Sequence, residues 1–168
     1  MPRVKKMWVH TVDQNGQDLG DGHWVDIPEP DSFAGDGFSQ IEGYVSRLLS
    51  SGAHFTSLLI STPDSQIGVG LWQRAGIPEF SLTLEWRHET ERERSIRQLF
   101  ADRGFACRQD YLAGNGDVPD ATRCLTYVLP SGREIVAQTT KDILHDVYGV
   151  QASDALDFTY EERNDTPS

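Results

Sequence analysis

One stretch of the sequence decides the fold, Glu79 to Trp86, which reads EFSLTLEW. Apolar residues alternate with polar ones along it, and this period of two is typical of a β-strand. A strand of this kind buries one face and leaves the other in contact with water, as strands of antiparallel sheets commonly do. The stretch therefore predicts an antiparallel sheet with one solvated face.

Two more strands are predicted just before this one, at residues 54–61 and 66–74, with a turn at residues 63–65 between them. The second of them also alternates. Its two faces carry Ile67, Val69 and Leu71 on one side and Gly68, Gly70 and Trp72 on the other.

Apolar residues at helical spacing predict three helices, over residues 38–51, 89–103 and 134–148. A glycine follows each of them, in the position that commonly ends a helix, at Gly52, Gly104 and Gly149. Ser39 is the expected N-cap of the first helix, and Glu42 completes a capping box with it.

The remaining strands are predicted at residues 7–12, 23–27, 105–113, 122–129 and 155–160. Asn15-Gly16 is a hairpin signal between the first two, and residues 28–37 are expected to form a loop. The order β-β-α-β-β-β-α-β-β-α-β indicates an α+β fold, with an antiparallel sheet and helices packed on one face. We expect one domain over residues 1–168, with a frayed polar tail from about residue 161.

The composition is that of an acidic protein, with 15 lysines and arginines against 26 aspartates and glutamates and a formal net charge of −11. Nucleic acids and anionic membranes are disfavoured as partners because both attract basic surfaces. No apolar run approaches the roughly 18 residues of a membrane span. Met7 to Asp13 is too short and polar for a signal-peptide core. We therefore expect a cytoplasmic protein with both cysteines reduced.

The sequence carries no recognisable catalytic, cofactor or metal motif. His88-Glu89 begins like a zinc-protease motif, but Arg92 stands where the second histidine ligand would be. The Gly35-Asp36-Gly37 segment continues into neither a P-loop nor a dinucleotide fingerprint. We expect no catalytic residues, no metal and no cofactor, and therefore a protein that is not an enzyme. The other histidines are scattered, at His10, His23, His54 and His145.

Two pairs of residues nevertheless have reactive side chains. Glu79 and Glu85 lie on the predicted solvent-facing side of one strand. One interpretation is an acid/base pair; the other, more common for exposed carboxylates, is a solvated surface. Cys107 and Cys124 are predicted in adjacent strands, with their sulfurs on the same face, and buried cysteines in strands are commonly inert.

Gly68, Gly70 and Trp72 form the candidate binding site. Two glycines beside a tryptophan leave a flat surface that another backbone can approach. One interpretation is a face that binds a peptide. The other is that a helix covers this face and the glycines make room for it.

The C-terminal part resembles a known family. Arg97-Gln98-Leu99-Phe100 followed by Gly104-Phe105, and Ile143 to Val150 followed by Leu156-Asp157-Phe158, are similar to helix and strand segments of the type III secretion chaperone and YbjN-like group, including its TY-Chap domains. The element order over residues 38–160 resembles this group as well. The resemblance implies a non-enzymatic fold that binds polypeptide segments, often as a dimer.

These observations predict a chaperone-like protein-binding module that holds a segment of another protein on its sheet, and they leave a homodimer open. The alternative is an acidic immunity protein or inhibitor that neutralises a basic toxin. A small enzyme of unknown type is the third hypothesis.

Overall fold

The computed structural model of the protein describes residues 5–9, 20, 23–74, 76–85, 88–113, 122–129 and 132–164. The strands are β1 (Lys5–Val9), β2 (His23–Ile27), β3 (Asp31–Phe33), β4 (Phe55–Ser61), β5 (Gly68–Arg74), β6 (Ile77–Glu85), β7 (Cys107–Ala113), β8 (Thr122–Val128) and β9 (Leu156–Arg163). The helices are α1 (Phe38–Ser50), α2 (Thr90–Arg103) and α3 (Arg133–Asp142), which continues into a π-helical turn (Ile143–Val147).

The strands form two sheets. Within the described residues, β1 and β2 pair only with each other, and the other seven strands form one antiparallel sheet in the order β3-β9-β4-β5-β6-β8-β7. The predicted α+β class and the predicted order of elements are confirmed. One element was not predicted: β3 lies inside the expected loop at residues 28–37. It is a strand because Asp31 and Phe33 pair with Phe158 and Leu156, more than a hundred residues later.

The helices of the described part all pack on one face of the seven-stranded sheet, because the apolar strand residues that point to that face form a single core with helix residues. Two stacked aromatic pairs join the helices to the strands. Phe100 of α2 stacks on Tyr127 at 3.9 Å between ring centroids, and Tyr44 of α1 stacks on Phe158 at 4.5 Å. The fully buried strand residues include Leu58, Ile60, Val69, Leu71, Phe80, Leu82, Leu84, Leu125, Leu156 and Phe158.

The start of α1 differs from the prediction. Gly37, not Ser39, is the N-cap, and the Ser39 hydroxyl donates to the Asp36 carbonyl at 2.7 Å. Gly37 is required here because a Cβ would lie 2.5 Å from Leu156 Cγ, while the Gly37 N–H donates to the Asp154 carbonyl at 3.0 Å. The helix therefore begins where the chain docks onto the entry to β9, and the predicted capping box is wrong.

The helix ends follow the prediction in two cases of three. Gly104 and Gly149 both have φ of 74°, the left-handed conformation that glycine adopts without strain. Gly52 does not end α1, because the chain already leaves the helix at Ser51 in an extended conformation. The third predicted helix divides: Tyr148 N–H donates to the Ile143 carbonyl, the five-residue spacing of a π-helix.

The C-terminal strand is longer than predicted. Residues 161–163 were expected in a frayed tail, yet they extend β9 because Glu161 pairs with Ser57 and Arg163 with Phe55. The predicted hairpin turn at Asn15-Gly16 and the turn at residues 114–121 lie outside the described residues. None of the helices in the described part has the length and apolar character that a membrane crossing requires.

Candidate functional site

The candidate site lies on the sheet face that points away from the helices, here called the outer face. Strand alternation places Gly68, Gly70 and Trp72 on it, opposite in orientation to buried Val69 and Leu71. The prediction that these three residues share one face is therefore confirmed. On β4, β5, β6 and β8 the outer face consists of Phe55, Ser57, Leu59, Ser61, Gly68, Gly70, Trp72, Arg74, Ile77, Glu79, Ser81, Thr83, Glu85, Thr122, Cys124, Thr126 and Val128.

Trp72 occupies the middle of this face and is partly buried. Its neighbours across the strands are Ser57 and Glu79, and the Phe55 ring lies 6.5 Å from it between centroids. The indole Nε1–H donates to Glu79 Oε2 at 2.9 Å. The interpretation that a helix covers Trp72 is wrong for the described helices, which all pack on the other face.

The two glycines make room for their own sheet. A Cβ on Gly70 would lie 3.1 Å from the Ser81 carbonyl oxygen, closer than an ordinary contact, whereas one on Gly68 would lie 3.5 Å from Leu59 Cδ1. The close backbone approach expected from glycine in a strand is therefore that of the neighbouring strand β6. The consequence for the surface is that no side chain rises from β5 on the Gly70 side of Trp72, whereas Arg74 projects from the same face on the other side.

Exposed apolar side chains flank this low region. Leu59 stands opposite Gly70 and is 44% exposed, and Ile77 stands opposite Arg74 and is 55% exposed. Among the described residues the remaining large apolar side chain with such exposure is Ile135 on α3, at 52%. Neither residue stands out in the sequence: Leu59 lies in a predicted strand, but Ile77 precedes the strand predicted from Glu79.

Glu79 is buried, although the sequence predicts a solvated side chain. It is 6% exposed, and Arg108 binds it through Nε to Oε1 at 2.6 Å and through Nη2 to Oε2 at 2.9 Å. Arg108 reaches this position because it is the extra residue of a β-bulge between Cys107 and Gln109, and bulges redirect side chains. Glu85 is exposed and about 20 Å further along the strand, too far for the two carboxylates to share a substrate.

The same bulge separates the cysteines. β7 and β8 are adjacent and antiparallel as predicted. Cys107, however, pairs with Tyr127 and faces the helices, whereas Cys124 pairs with Tyr111 and lies on the outer face. The prediction of a shared face is wrong because one inserted residue reverses the facing of every residue before it. Burial raises the pKa of both thiols, so neither is an activated nucleophile.

Charged side chains on the helix side form a network that joins α2 to the end of the sheet. Arg97 Nη1 lies 2.8 Å from Asp110 Oδ2, and Arg123 Nη1 lies 3.0 Å from Asp110 Oδ1. Glu93 is 3.3 Å from Arg123. The hydrogen bond from Arg97 and the charges of both arginines hold the pKa of Asp110 below its ordinary value. The network joins α2 to the sheet by ion pairs, although the buried Nε of Arg123, 3.3 Å from Glu93 Oε1, forms no hydrogen bond.

The described residues include no group of three or more histidine, cysteine, aspartate or glutamate side chains arranged to hold a metal ion. The arrangement on the outer face suits contact with another molecule: exposed apolar side chains, a flat central strand and a tryptophan whose polar atom already has a partner. Comparison with known protein families, with curated proteins and with solved structures finds no match to this chain.

Proposed function

We propose that this chain is a non-enzymatic, chaperone-like module that holds an extended segment of a partner protein on the outer face, around Gly68, Gly70 and Trp72. One observation carries the proposal. Leu59 and Ile77 expose about half of their surface on a sheet face where no described helix packs. Exposed apolar groups rimmed by polar ones are typical of protein-interaction sites.

The outer face is organised for such a contact before the partner arrives. The Trp72 indole N–H is already bonded to Glu79, so an apolar partner side chain can cover the ring without leaving a donor unsatisfied. Arg108 neutralises Glu79 from the side, which removes an uncompensated charge from the centre of the contact. Tryptophan is among the residues that contribute most to binding energy at protein interfaces.

The shape favours an extended segment over a helix. The absence of side chains on Gly68 and Gly70 leaves the outer face low along β5 as far as Trp72, with Leu59 on the β4 side; Ile77 and Arg74 lie beyond Trp72. An extended chain places alternate side chains on one side, so it can direct apolar anchors toward Leu59, Trp72 and Ile77 while its polar residues face water.

Site-specific photocrosslinking in the native host tests the proposal. Benzoylphenylalanine is introduced at position Leu59 or Ile77, and at Ile135 as a matched control of similar exposure on the helix side. We expect the same partner to be captured from positions 59 and 77 and not from 135, with the adducts mapped to one contiguous segment. Capture of that partner from position 135, or no adduct at 59 and 77, contradicts the proposal.

Salt dependence separates the apolar contact from the immunity-like alternative. Exposed charges are screened over about 10 Å at 0.1 M salt, so an acidic surface that neutralises a basic toxin loses affinity as salt rises. An apolar contact at Leu59, Trp72 and Ile77 keeps its affinity. Titration of the captured partner segment against the purified protein at low and high salt therefore supports one of the two functions and contradicts the other.

A further inference from the structure

The two-stranded ribbon of β1 and β2 stands apart from the rest of the fold. Its strands pair with each other, and neither packs extensively on another strand or helix of the described part. A two-stranded ribbon by itself is marginally stable in water and gains stability by packing its apolar residues on another layer. The ribbon therefore needs an apolar surface to pack on.

The antiparallel register sorts the residues of the ribbon into two faces, because successive residues of a strand alternate between its faces. One face is mostly aliphatic and is here called the aliphatic face; it consists of Lys5, Met7, Val9, His23, Val25 and Ile27. The other face carries the cross-strand pairs Lys6–Asp26 and Trp8–Trp24. Apolar residues in neighbouring positions of one face are typical of strands that cover a core.

The outer face of the seven-stranded sheet is the apolar surface that the described helices leave open. The helix side of the sheet is already filled, since its apolar residues form a single core with the helices. On the outer face Leu59 and Ile77 expose about half of their surface, and Trp72 lies between them. A second layer of strands can pack on such a face at the usual distance between stacked sheets.

The pairing of β3 directs the ribbon toward this surface. β3 runs antiparallel to β9 and pairs Asp31 with Phe158, so the chain before Asp31 leads toward the Arg163 end of β9. Arg163 pairs with Phe55 on β4, and Ile77 lies in the same row of the outer face, two strands further on. The ribbon therefore enters the fold at the end of the sheet where the exposed apolar side chains begin.

The connection between β2 and β3 allows the chain to change layers. Pro28 and Pro30 lie in it, and proline lacks the N–H that would continue a strand ladder. Four residue steps from Ile27 to Asp31 reach at most about 14 Å, against about 10 Å between stacked sheets. Corners of this kind join sheets whose strands cross at near right angles.

The length of the ribbon matches the distance that it has to cover. In the strand order, three spacings separate β3 from β5, about 14 Å in all. The five residues of β2 span about 14 Å between their terminal Cα atoms. A ribbon that crosses the sheet from the corner at Pro28 therefore extends over β9 and β4 as far as Trp72.

We propose that the β1–β2 ribbon folds over the outer face, with its aliphatic face over Leu59 and Trp72, as a strap that a partner segment has to displace. The strap rests on the proposed function, because it regulates the same site. Leu59 and Ile77 are exposed in the open position, which is that of the structure. The short connection keeps the ribbon at high effective concentration near the outer face, so the closed position lowers the apparent affinity for a partner by the open fraction.

Paramagnetic relaxation enhancement in the whole chain without a partner tests the closed position. A nitroxide is attached at Thr83→Cys on the outer face or at Ile135→Cys on the helix side, and serine replaces both native cysteines. We expect the label at position 83 to broaden the amide signals of residues 5–9 and 23–27 severalfold more than the label at position 135. Equal broadening from both labels, or none from position 83, overturns the proposal.

A mixture of two samples distinguishes the chain's own ribbon from that of a second copy. One sample carries the nitroxide at position 83 without isotopes, and the other carries the isotopes without nitroxide. Broadening of the ribbon signals should be absent from this mixture, because the connection through residues 28–30 makes the contact intramolecular. Broadening as strong as within one chain assigns the ribbon to a second molecule and overturns the strap.

Two double variants test the assignment of the aliphatic face. Val9→Thr with Val25→Thr keeps β-branched side chains, which favour strands, but adds hydroxyls to the aliphatic face. It should reduce the broadening from position 83 severalfold. Trp8→Thr with Trp24→Thr changes the other face of the same strands and should leave most of the broadening. A loss in this control as large as in the valine variant contradicts the assigned face.

Photocrosslinking separates failure of the strap from failure of the proposed function. With benzoylphenylalanine at position 77, partner capture should rise severalfold in the valine double variant, because the open fraction rises. Capture that is unchanged in this variant, together with no broadening from position 83, rejects the strap and leaves the proposed function standing. Broadening from position 83 with no capture in either background rejects the proposed function and leaves a ribbon that covers the outer face.

Discussion

Arg108 and Glu79 are joined across an intervening strand: Arg108 on β7 reaches over β8 and binds both carboxylate oxygens of Glu79 on β6, at 2.6 and 2.9 Å. Glu79 is 6% exposed on a face where no described helix packs. The same carboxylate accepts the Trp72 indole N–H at 2.9 Å. The position of Trp72 therefore depends on an arginine from the edge of the sheet.

Arg108→Ala should lower the free energy of unfolding by about 1–2 kcal/mol, because it leaves a buried carboxylate without its cation. The effect is smaller than for a fully buried pair, since Arg108 is half exposed. Glu79→Gln in the Arg108→Ala background should restore part of the loss. Urea denaturation checks both variants, with Arg94→Ala on the exposed surface of α2 as control. Equal losses for Arg108→Ala and Arg94→Ala would show that the ion pair contributes nothing.

Gly70→Ala and Gly68→Ala form a matched pair in one strand. Gly70→Ala should destabilise the protein by about 1–3 kcal/mol, because its Cβ presses against the Ser81 carbonyl in a well-packed sheet. In Gly68→Ala the new Cβ makes only an ordinary contact with Leu59. The free energy of unfolding should change by less than about 1 kcal/mol, because alanine loses less backbone entropy on folding than glycine does. Thermal unfolding of the two variants measures the difference, and the reverse ranking contradicts the assigned contact.

Asp110 should make the protein less stable in acid. Its pKa is lowered in the folded state, first by the hydrogen bond from Arg97, so its contribution is present above the ordinary carboxyl pKa of 3.8. That contribution is lost as the pH falls through the lower, folded pKa. Asp110→Asn should therefore flatten the acid limb of a plot of unfolding free energy against pH. The flattening should shrink in the Arg97→Gln background, and a slope that Asp110→Asn leaves unchanged contradicts the linkage.

The cysteines should not form a disulfide within the folded chain. Cys107 and Cys124 project from opposite faces of neighbouring strands, a geometry that no disulfide spans. After mild oxidation at low protein concentration, mass spectrometry should find no product lighter by two hydrogens. Cys107 is exposed and Cys124 half-buried, so iodoacetamide should modify Cys107 first. Faster modification of Cys124, or an intramolecular disulfide, would contradict the opposite facing of the two cysteines and with it the bulge between Cys107 and Gln109.

Local sequence patterns were sufficient for most elements and for the composition of the core. The alternation of Phe80, Leu82 and Leu84 predicts both a strand and the face it buries, and all three are buried. Gly104 and Gly149 end their helices because the residue just after a helix commonly adopts the left-handed backbone conformation, which glycine takes without strain. These features depend on residues a few positions apart, which is the range over which periodicity and capping act.

The candidate site was predictable only in part. The sequence places Gly68, Gly70 and Trp72 on one face because their alternation is local. It does not place Arg108 on that face, because a bulge in a distant strand has no recognisable signature in the residues around position 108. Leu59 and Ile77 are exposed there because the described helices pack on the other face of the sheet.

The sequence by itself determined which residues form strands and helices and which of them share a face, because these follow from covalent geometry and from the separation of apolar and polar side chains. The tertiary structure alone decided that β3 exists, that β9 reaches Arg163, that Gly37 begins α1 and that Glu79 is buried. Each of these depends on a partner far along the chain, and the energy of a cross-strand pair or a close contact is realised only when the fold brings the two residues together.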